Sequence, residues 1–195
     1  MTDLKVYLAR HGETEWSKSG RHTGRTDKPL TAKGEDDARK IGKRLAGVTF
    51  SHVLTSPLSR ARKTAELAGF APVVDPGLLE WDYGEYEGLT TGEIRERRAG
   101  WDLFRDGCPG GESVHDMTAR VDGVVERLQA LRGNVLAFAH GHLLRVLAAR
   151  WVNQPVPFAR ALLLSTSAVC VLGFDHHALD EPAIVLWNDD RHLSE

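Results

Sequence analysis

Two short apolar runs set the terms for this chain. Residues 5–9 read KVYLA and residues 134–139 read NVLAFA. Each stops abruptly in polar residues: Arg10-His11-Gly12 after the first and His140-Gly141-His142 after the second. Short apolar runs of this kind read as strands buried on both faces of a sheet. Charged residues at the carboxyl ends of such strands are where α/β proteins build sites. If both strands are central and parallel, Arg10, His11 and His140 emerge on the same edge.

The remaining pattern supplies the covering helices. Thr31 is a good N-cap for a helix that turns Ala38, Ile41 and Leu45 inward. SHVLTS reads as a second strand. Ser56-Pro57 then signals a helix that runs to about Ala68 and ends at Gly69. APVVD is a short strand, and PGLLEWDYGEYEGL a loop rich in carboxylates and aromatics. TTGEIRERRAG predicts a helix and WDLFRDGCPGGES a further loop. From Ser113 to Leu131 a stripe of Val114, Met117, Val121, Val124 and Leu128 predicts a long helix closed by Gly133. LLRVLAARW continues as a helix, and SAVCVLGF and AIVLW read as two late strands paired at an edge. This alternation predicts a three-layer α/β/α sandwich around a mostly parallel central sheet. No repeat or low-complexity linker divides the 195 residues, so one domain is expected over residues 1–195.

A formal charge of −2 gives nucleic acid and acidic membranes no general attraction, so an anion site must be local. The stretch ALLLSTSAVCVLGF is too short and too rich in hydroxyls to span a membrane. With no basic-then-apolar leader visible, a cytoplasmic location is expected. Cys108 and Cys170 stand apart, which fits a reducing compartment and no disulfide.

A lone histidine at a strand end is more often structural than chemical. Here His11 has company: Arg10 precedes it, Arg60 falls in the first turn of the helix after Ser56-Pro57, and His140 ends the second strand. Up to four positive donors with a helix N-terminus among them call for an anion, and a phosphoryl group matches guanidinium forks. A metal site is the competing reading. It is disfavoured because His140 and His142 are two apart on a strand-to-helix turn, and no HExxH pattern accompanies them.

Four segments in order resemble the histidine phosphatase superfamily, the phosphoglycerate mutase-like proteins. They are LARHGETEW with TGRTDKPLTAKGEDDA, TSPLSRARKTAELA, LLEWDYGEYEGL and FAHGHLLRVLAARW, and they span nearly the whole chain. The resemblance implies that His11 is the nucleophile, phosphorylated on Nε2, with Arg10, Arg60 and His140 forming the phosphate pocket. It implies that Glu80 is the proton donor and acceptor, partly desolvated by Leu79 and Trp81. Ser17, Thr23, Gly24 and Gly141 fall at positions that line the same pocket. Position 17 is often asparagine in the family, and Ser17 has a shorter reach. No metal or other cofactor is implied.

Three readings follow: a phosphatase passes the phosphoryl group to water; a mutase returns it to another hydroxyl of the substrate; a non-catalytic regulatory domain keeps the fold and binds a phosphate ligand, a reading disfavoured because every catalytic position is filled. The family's mutases carry a longer basic insertion after Glu80, and this chain does not, so hydrolysis is expected. The Arg97-Arg98 pair reads as the solvated face of a surface helix. WDYGEYEG, RDGC, HGHLLR and DHHALDEPAI are similar to small acid phosphatases and to sugar-bisphosphate phosphatases of the sedoheptulose-bisphosphatase kind. That likeness puts the Tyr83 hydroxyl in the substrate pocket. Arg145 would meet a second phosphate or a sugar hydroxyl, or else serve as an ordinary arginine of an amphipathic helix. His142, His176 and His177 are taken as structural or surface residues. The partner expected is a small phosphorylated metabolite, with the protein a monomer or homodimer.

Overall fold

The structure, a computed structural model, describes residues 3–194. The two apolar runs are β1 (Lys5–Arg10) and β4 (Asn134–Ala139), and they lie side by side in parallel, with Arg10 opposite Ala139. Between them in sequence come α1 (Glu15–Lys18), α2 (Ala32–Arg44), β2 (His52–Thr55), α3 (Ser59–Leu67) and β3 (Val73–Val74). Then follow α4 (Thr91–Arg97), α5 (Leu103–Asp106) and α6 (Val114–Gln129). After β4 come α7 (Gly141–Trp151), β5 (Val169–Phe174) and β6 (Pro182–Asp189).

The sheet runs β3-β2-β4-β1-β5-β6. β4 pairs in parallel with both β1 and β2, and β2 pairs in parallel with β3. β5 and β6 form an antiparallel pair beside β1, as the late apolar runs predict. The chain lays down β1, steps past one position to β2, and returns to fill the gap with β4. α2 and α3 pack on one face and α6 and α7 on the other, so a crevice opens at the carboxyl ends of β1 and β4.

The absence of alternation in β4 now has its reason. Leu136 and Phe138 face Ile41, Leu45, Ala65 and Ala68, with Ala9 and Val169 beside them. Val135, Ala137 and Ala139 face the opposite layer, with Met117, Val121, Leu143, Leu147 and Trp151. A strand covered on both sides needs an apolar residue at every position.

Two local expectations are corrected. Ser56-Pro57 does not cap a helix: α3 begins at Ser59, behind Leu58, which makes no side-chain cap. The Ser56 hydroxyl is instead engaged by His140. The stretch WDLFRDG is not all loop, since it holds the single turn α5. Asp102 caps that turn through the Phe104 amide at 3.0 Å, and Leu103 and Phe104 are buried. Four residues carry too little periodicity to be read as a helix.

The turn after β1 is pressed against the first turn of α2. A Cβ on Gly12 would lie 2.4 Å from the Gly34 carbonyl oxygen, and one on Gly34 would lie 2.2 Å from that of Glu13. Thr31 N donates to Glu13 O at 2.9 Å in the same contact. Both glycines therefore serve close backbone approach. Gly34→Ala should force α2 off the turn and destabilise the protein by about 1–3 kcal/mol, the usual cost of overpacking. Urea unfolding should show a lower midpoint at unchanged slope. An unchanged midpoint would mean the contact is looser than described.

Candidate active site

His11 sits at the first residue past β1, buried, with its amide donating to Ala139 O at 3.0 Å. Its Nδ1 lies 2.7 Å from Gly12 O. A carbonyl only accepts, so Nδ1 carries the proton and Nε2 keeps its lone pair. Burial first, and then the charges of Arg60 and Arg10, hold the ring well below the ordinary histidine range. The free site therefore contains a neutral imidazole with one nucleophilic nitrogen.

The two arginines arrive from different elements. Arg10 ends β1, and one of its terminal nitrogens donates to Leu164 O. Its guanidinium lies across Gly141, where a Cβ would come within 3.2 Å of Cζ and Nε. Its Nε is buried and has no partner among the described residues. Arg60, in the first turn of α3, is 1% exposed. It donates to Gly24 O at 2.8 Å and Thr26 O at 2.9 Å, and through Nε to His140 Nδ1 at 3.2 Å.

An arginine Nε only donates, so His140 Nδ1 accepts and its Nε2–H donates to Ser56 Oγ at 2.7 Å. His140 is also kept well below the usual range, by burial and then by Arg60. The expectation of up to four positive donors is thus corrected: two arginines carry the charge, and both histidines are neutral. In this arrangement His140 tethers Arg60 instead of lining the pocket.

Glu80 follows a 3-10 turn, Pro76–Leu78, and is 6% exposed. Its Oε1 accepts from Trp81 N at 2.9 Å and Leu143 N at 2.8 Å, and its Oε2 from His142 N at 3.1 Å. Two of these donors belong to the first turn of α7, where a carboxylate is favoured. The loop is clamped from behind by Arg120 of α6, which donates to Gly77 O and Leu79 O at 2.8 Å each and grips Glu112 with two nitrogens.

These groups open on a pocket of about 230 Å³. Arg10, His11, Ser17, Thr23, Arg60, Glu80, Tyr83, Gly141 and Arg145 all line it. Ser17 does so while closing the capping box of α1 with Thr14. Gly24 is not on the wall: it stands behind Arg60 as a carbonyl acceptor, and at φ +54° a Cβ there would strike Glu87 Oε1.

The structure adds Arg21, His22, Thr91, His142 and Leu164. His142, expected to be structural, shares a hydrogen bond with the Tyr83 hydroxyl. His22 packs on Tyr83 with ring centroids 4.7 Å apart, tilted at 51°, and reaches Thr91 Oγ1 at 3.2 Å. Only the second histidine of HGH gave His142 any signal, and His22 had none. Arg145 lies over the Phe104 ring at 4.6 Å, with Nε donating to Ala159 O. His176 is exposed, grouped with Asp175 and Glu181, and forms no part of this pocket.

Four histidines at the site make a prediction about pH. His11, His140 and His142 are held well below the usual range and His22 down to about 4, in each case chiefly by burial. Unfolded, all four take up protons near pH 6.5. Below that pH the unfolded chain binds protons that the folded chain does not, so acid lowers stability. The melting temperature should fall between pH 7 and pH 5 at fixed ionic strength. A flat or rising value would contradict neutral, buried rings.

Residues 6–190 match the sequence pattern of the Histidine phosphatase superfamily (branch 1). An acid phosphatase of Mycobacterium tuberculosis is 41% identical over 177 residues, which covers 88% of this chain and 87% of that one. Sedoheptulose 1,7-bisphosphatase of Saccharomyces cerevisiae is 33% identical, covering 93% and 92%. The solved structure of a Mycobacterium tuberculosis open reading frame product superimposes with a TM-score of 0.91 at 37% identity, covering 95% of this chain and 97% of that one. The pattern runs through both strand ends, so the neutral His11 beside Arg10 and Arg60 is not a chance cluster: this chain belongs to the histidine phosphatase superfamily.

Proposed function

We propose that the protein hydrolyses small phosphomonoesters, sugar phosphates or bisphosphates in the first place, through a phosphohistidine on His11. The carrying observation is the His11 tautomer: Nδ1–H is tied to Gly12 O, and Nε2 is left with a lone pair in a pocket lined by Arg10 and Arg60. Nε2 attacks phosphorus in line, and the bond to the ester oxygen breaks. The arginines neutralise the equatorial oxygens as charge spreads over them. Glu80, protonated at this stage, gives its proton to the leaving alkoxide. Its Oε2 has one amide partner, which leaves a lone-pair direction for that proton. The carboxylate then takes a proton from water as the water oxygen bonds to phosphorus, and His11 departs neutral. Two relatives named as phosphatases support water as the acceptor. Tyr83, His142 and Thr91 offer uncharged hydrogen-bonding groups toward the leaving group, which suits a polyol.

His11→Ala should abolish turnover in a protein that still folds. The wild type, quenched during turnover, should carry acid-labile, base-stable phosphate on His11. In heavy-oxygen water the released phosphate should take up one solvent oxygen. Transfer to a second hydroxyl without phosphate release would favour a mutase instead.

Glu80→Gln keeps the shape of the side chain and removes the transferable proton. Cleavage of a sugar phosphate should slow by about a hundredfold or more. Phosphorylation by p-nitrophenyl phosphate, whose leaving group needs little help, should slow far less, and phosphohistidine should then accumulate. Arg60→Ala should harm both substrates alike, because charge stabilisation serves both. Equal slowing of phosphorylation by Glu80→Gln on the two substrates would remove Glu80 as the general acid.

A further inference from the structure

A second cavity, of about 440 Å³, lies between α2 and the turn after β6. Lys40, Lys43, Arg44, Arg191 and His192 line it, and none of these lines the pocket around His11. In a chain of net charge −2 this is a local concentration of positive charge. The Asp189 carboxylate is buried and accepts from both Arg44, at 2.8 and 2.9 Å, and Arg191, at 2.7 and 3.2 Å. One carboxylate between two guanidinium groups fixes their positions and leaves an excess cation. Lys40 Nζ donates to Leu193 O at 3.0 Å, a bond that leaves its charge uncompensated. Lys43 has no ion pair among the described residues. Asp190, the other acid facing His192, offsets part of this charge and leaves a surplus.

His192 gives the cavity a built inner wall. It is 8% exposed, and its Nε2 donates to Ser167 O at 3.0 Å. Its Nδ1 is therefore an acceptor, buried and without a partner among the described residues. A phosphate group suits the cavity, since its oxygens match the lysine and arginine donors that line it. Ser167 also connects the cavity to the catalytic centre. Held at φ +59°, it donates its amide to His11 O at 3.2 Å. The same loop supplies Leu164 O and Ala168 O to Arg10.

We propose that this cavity is a second anion site that binds a phosphate group, and that its occupancy reaches His11 through Ser167. The choice of phosphate rests on the phosphatase reading; the excess positive charge does not.

The test is a titration of the isotope-labelled protein with inorganic phosphate, followed by amide resonances. Two groups of resonances should move, each with its own affinity: one around His11 and Arg60, the other in residues 40–44 and 189–193. Lys43→Glu, at an exposed helix position outside the catalytic pocket, should weaken the second group at least about tenfold and leave the first intact. Movement confined to the first group, or a second group indifferent to Lys43→Glu, overturns the site. Loss of the first group alone counts against the phosphatase reading and not against the cavity. Methylphosphonate separates the ligand's sources. If it also moves the second group, the cavity takes phosphate borne on an organic group; if it does not, free phosphate is the ligand. Phosphate inhibition of p-nitrophenyl phosphate hydrolysis should have a non-competitive part that Lys43→Glu removes. Purely competitive inhibition in the wild type overturns the link to His11.

Discussion

The hydrogen bond from His11 N to Ala139 O closes the parallel pairing of β1 and β4, and the site depends on it. It continues a register in which Arg10 stands opposite Ala139, so the residues that follow, His11 and His140, must emerge side by side. Their rings lie 5.2 Å apart. β2 ends at the same level, with Ser56 N donating to Phe138 O at 3.0 Å, and brings Ser56 under His140 and α3 with Arg60 alongside. Strand pairing here performs what a flexible loop could not: it fixes several polar groups in one plane, with helix N-termini directed at the space above.

That geometry has an electrostatic consequence. Arg10 and Arg60 are deeply placed, and burial pulls both below the usual arginine range while Glu80 works against the shift. Arg60 has Asp27 only at 3.7 Å, and otherwise leans on carbonyl oxygens and on His140. Arg10 Nε has no partner among the described residues. A buried and a half-buried cation so incompletely compensated are costly unless a further anion arrives. Under the proposed mechanism that cost would fall when a phosphoryl group enters, and fall further as negative charge builds on it in transfer, which is where stabilisation increases rate. Neutral histidines belong to the same logic. With two guanidinium groups present, a third or fourth positive charge would remove the lone pair on His11 Nε2 and raise the cost of burial.

Much of this was legible in the chain because the phosphate-handling residues sit where local signals are strongest. An apolar run ending in charge marks a strand end, and a capped periodic stripe marks a helix. Arg10, His11 and His140 follow from two such runs, and the capping threonine placed the start of α2 within a residue. What the sequence did not show arises from tertiary contact. Ser56 reads locally as a cap, yet its hydroxyl is held by His140, 84 residues away. Gly24 reads as a pocket residue, yet the space around it is set by Glu87 on another loop. His22 and His142 meet each other and Tyr83 in one cluster of rings, and no spacing along the chain encodes that. Arg120 looks like one polar residue on the face of α6, and is instead the clamp behind the Glu80 loop.

The two halves of the pocket are therefore built by different means. The phosphoryl half uses strand ends and helix starts, with Gly12, Gly34 and Gly141 allowing backbones and guanidinium groups to meet at contact distance. The leaving-group half uses loops and short helices: Tyr83, His22 and Thr91, with Arg145 propped on Phe104 of a single-turn helix. Changes in these loops alter what the leaving group meets without disturbing the sheet, whereas changes at the strand ends disturb both chemistry and fold. Glu80 lies at the boundary. Its carboxylate is fixed by amides of α7 and the carbonyl before it by Arg120 of α6, while Tyr83 stands three residues further along the same loop. In the proposed mechanism the proton for the leaving group would thus pass from the rigid part of the molecule into the half built by loops. One phosphoryl-transfer apparatus would in this way serve different alcohols.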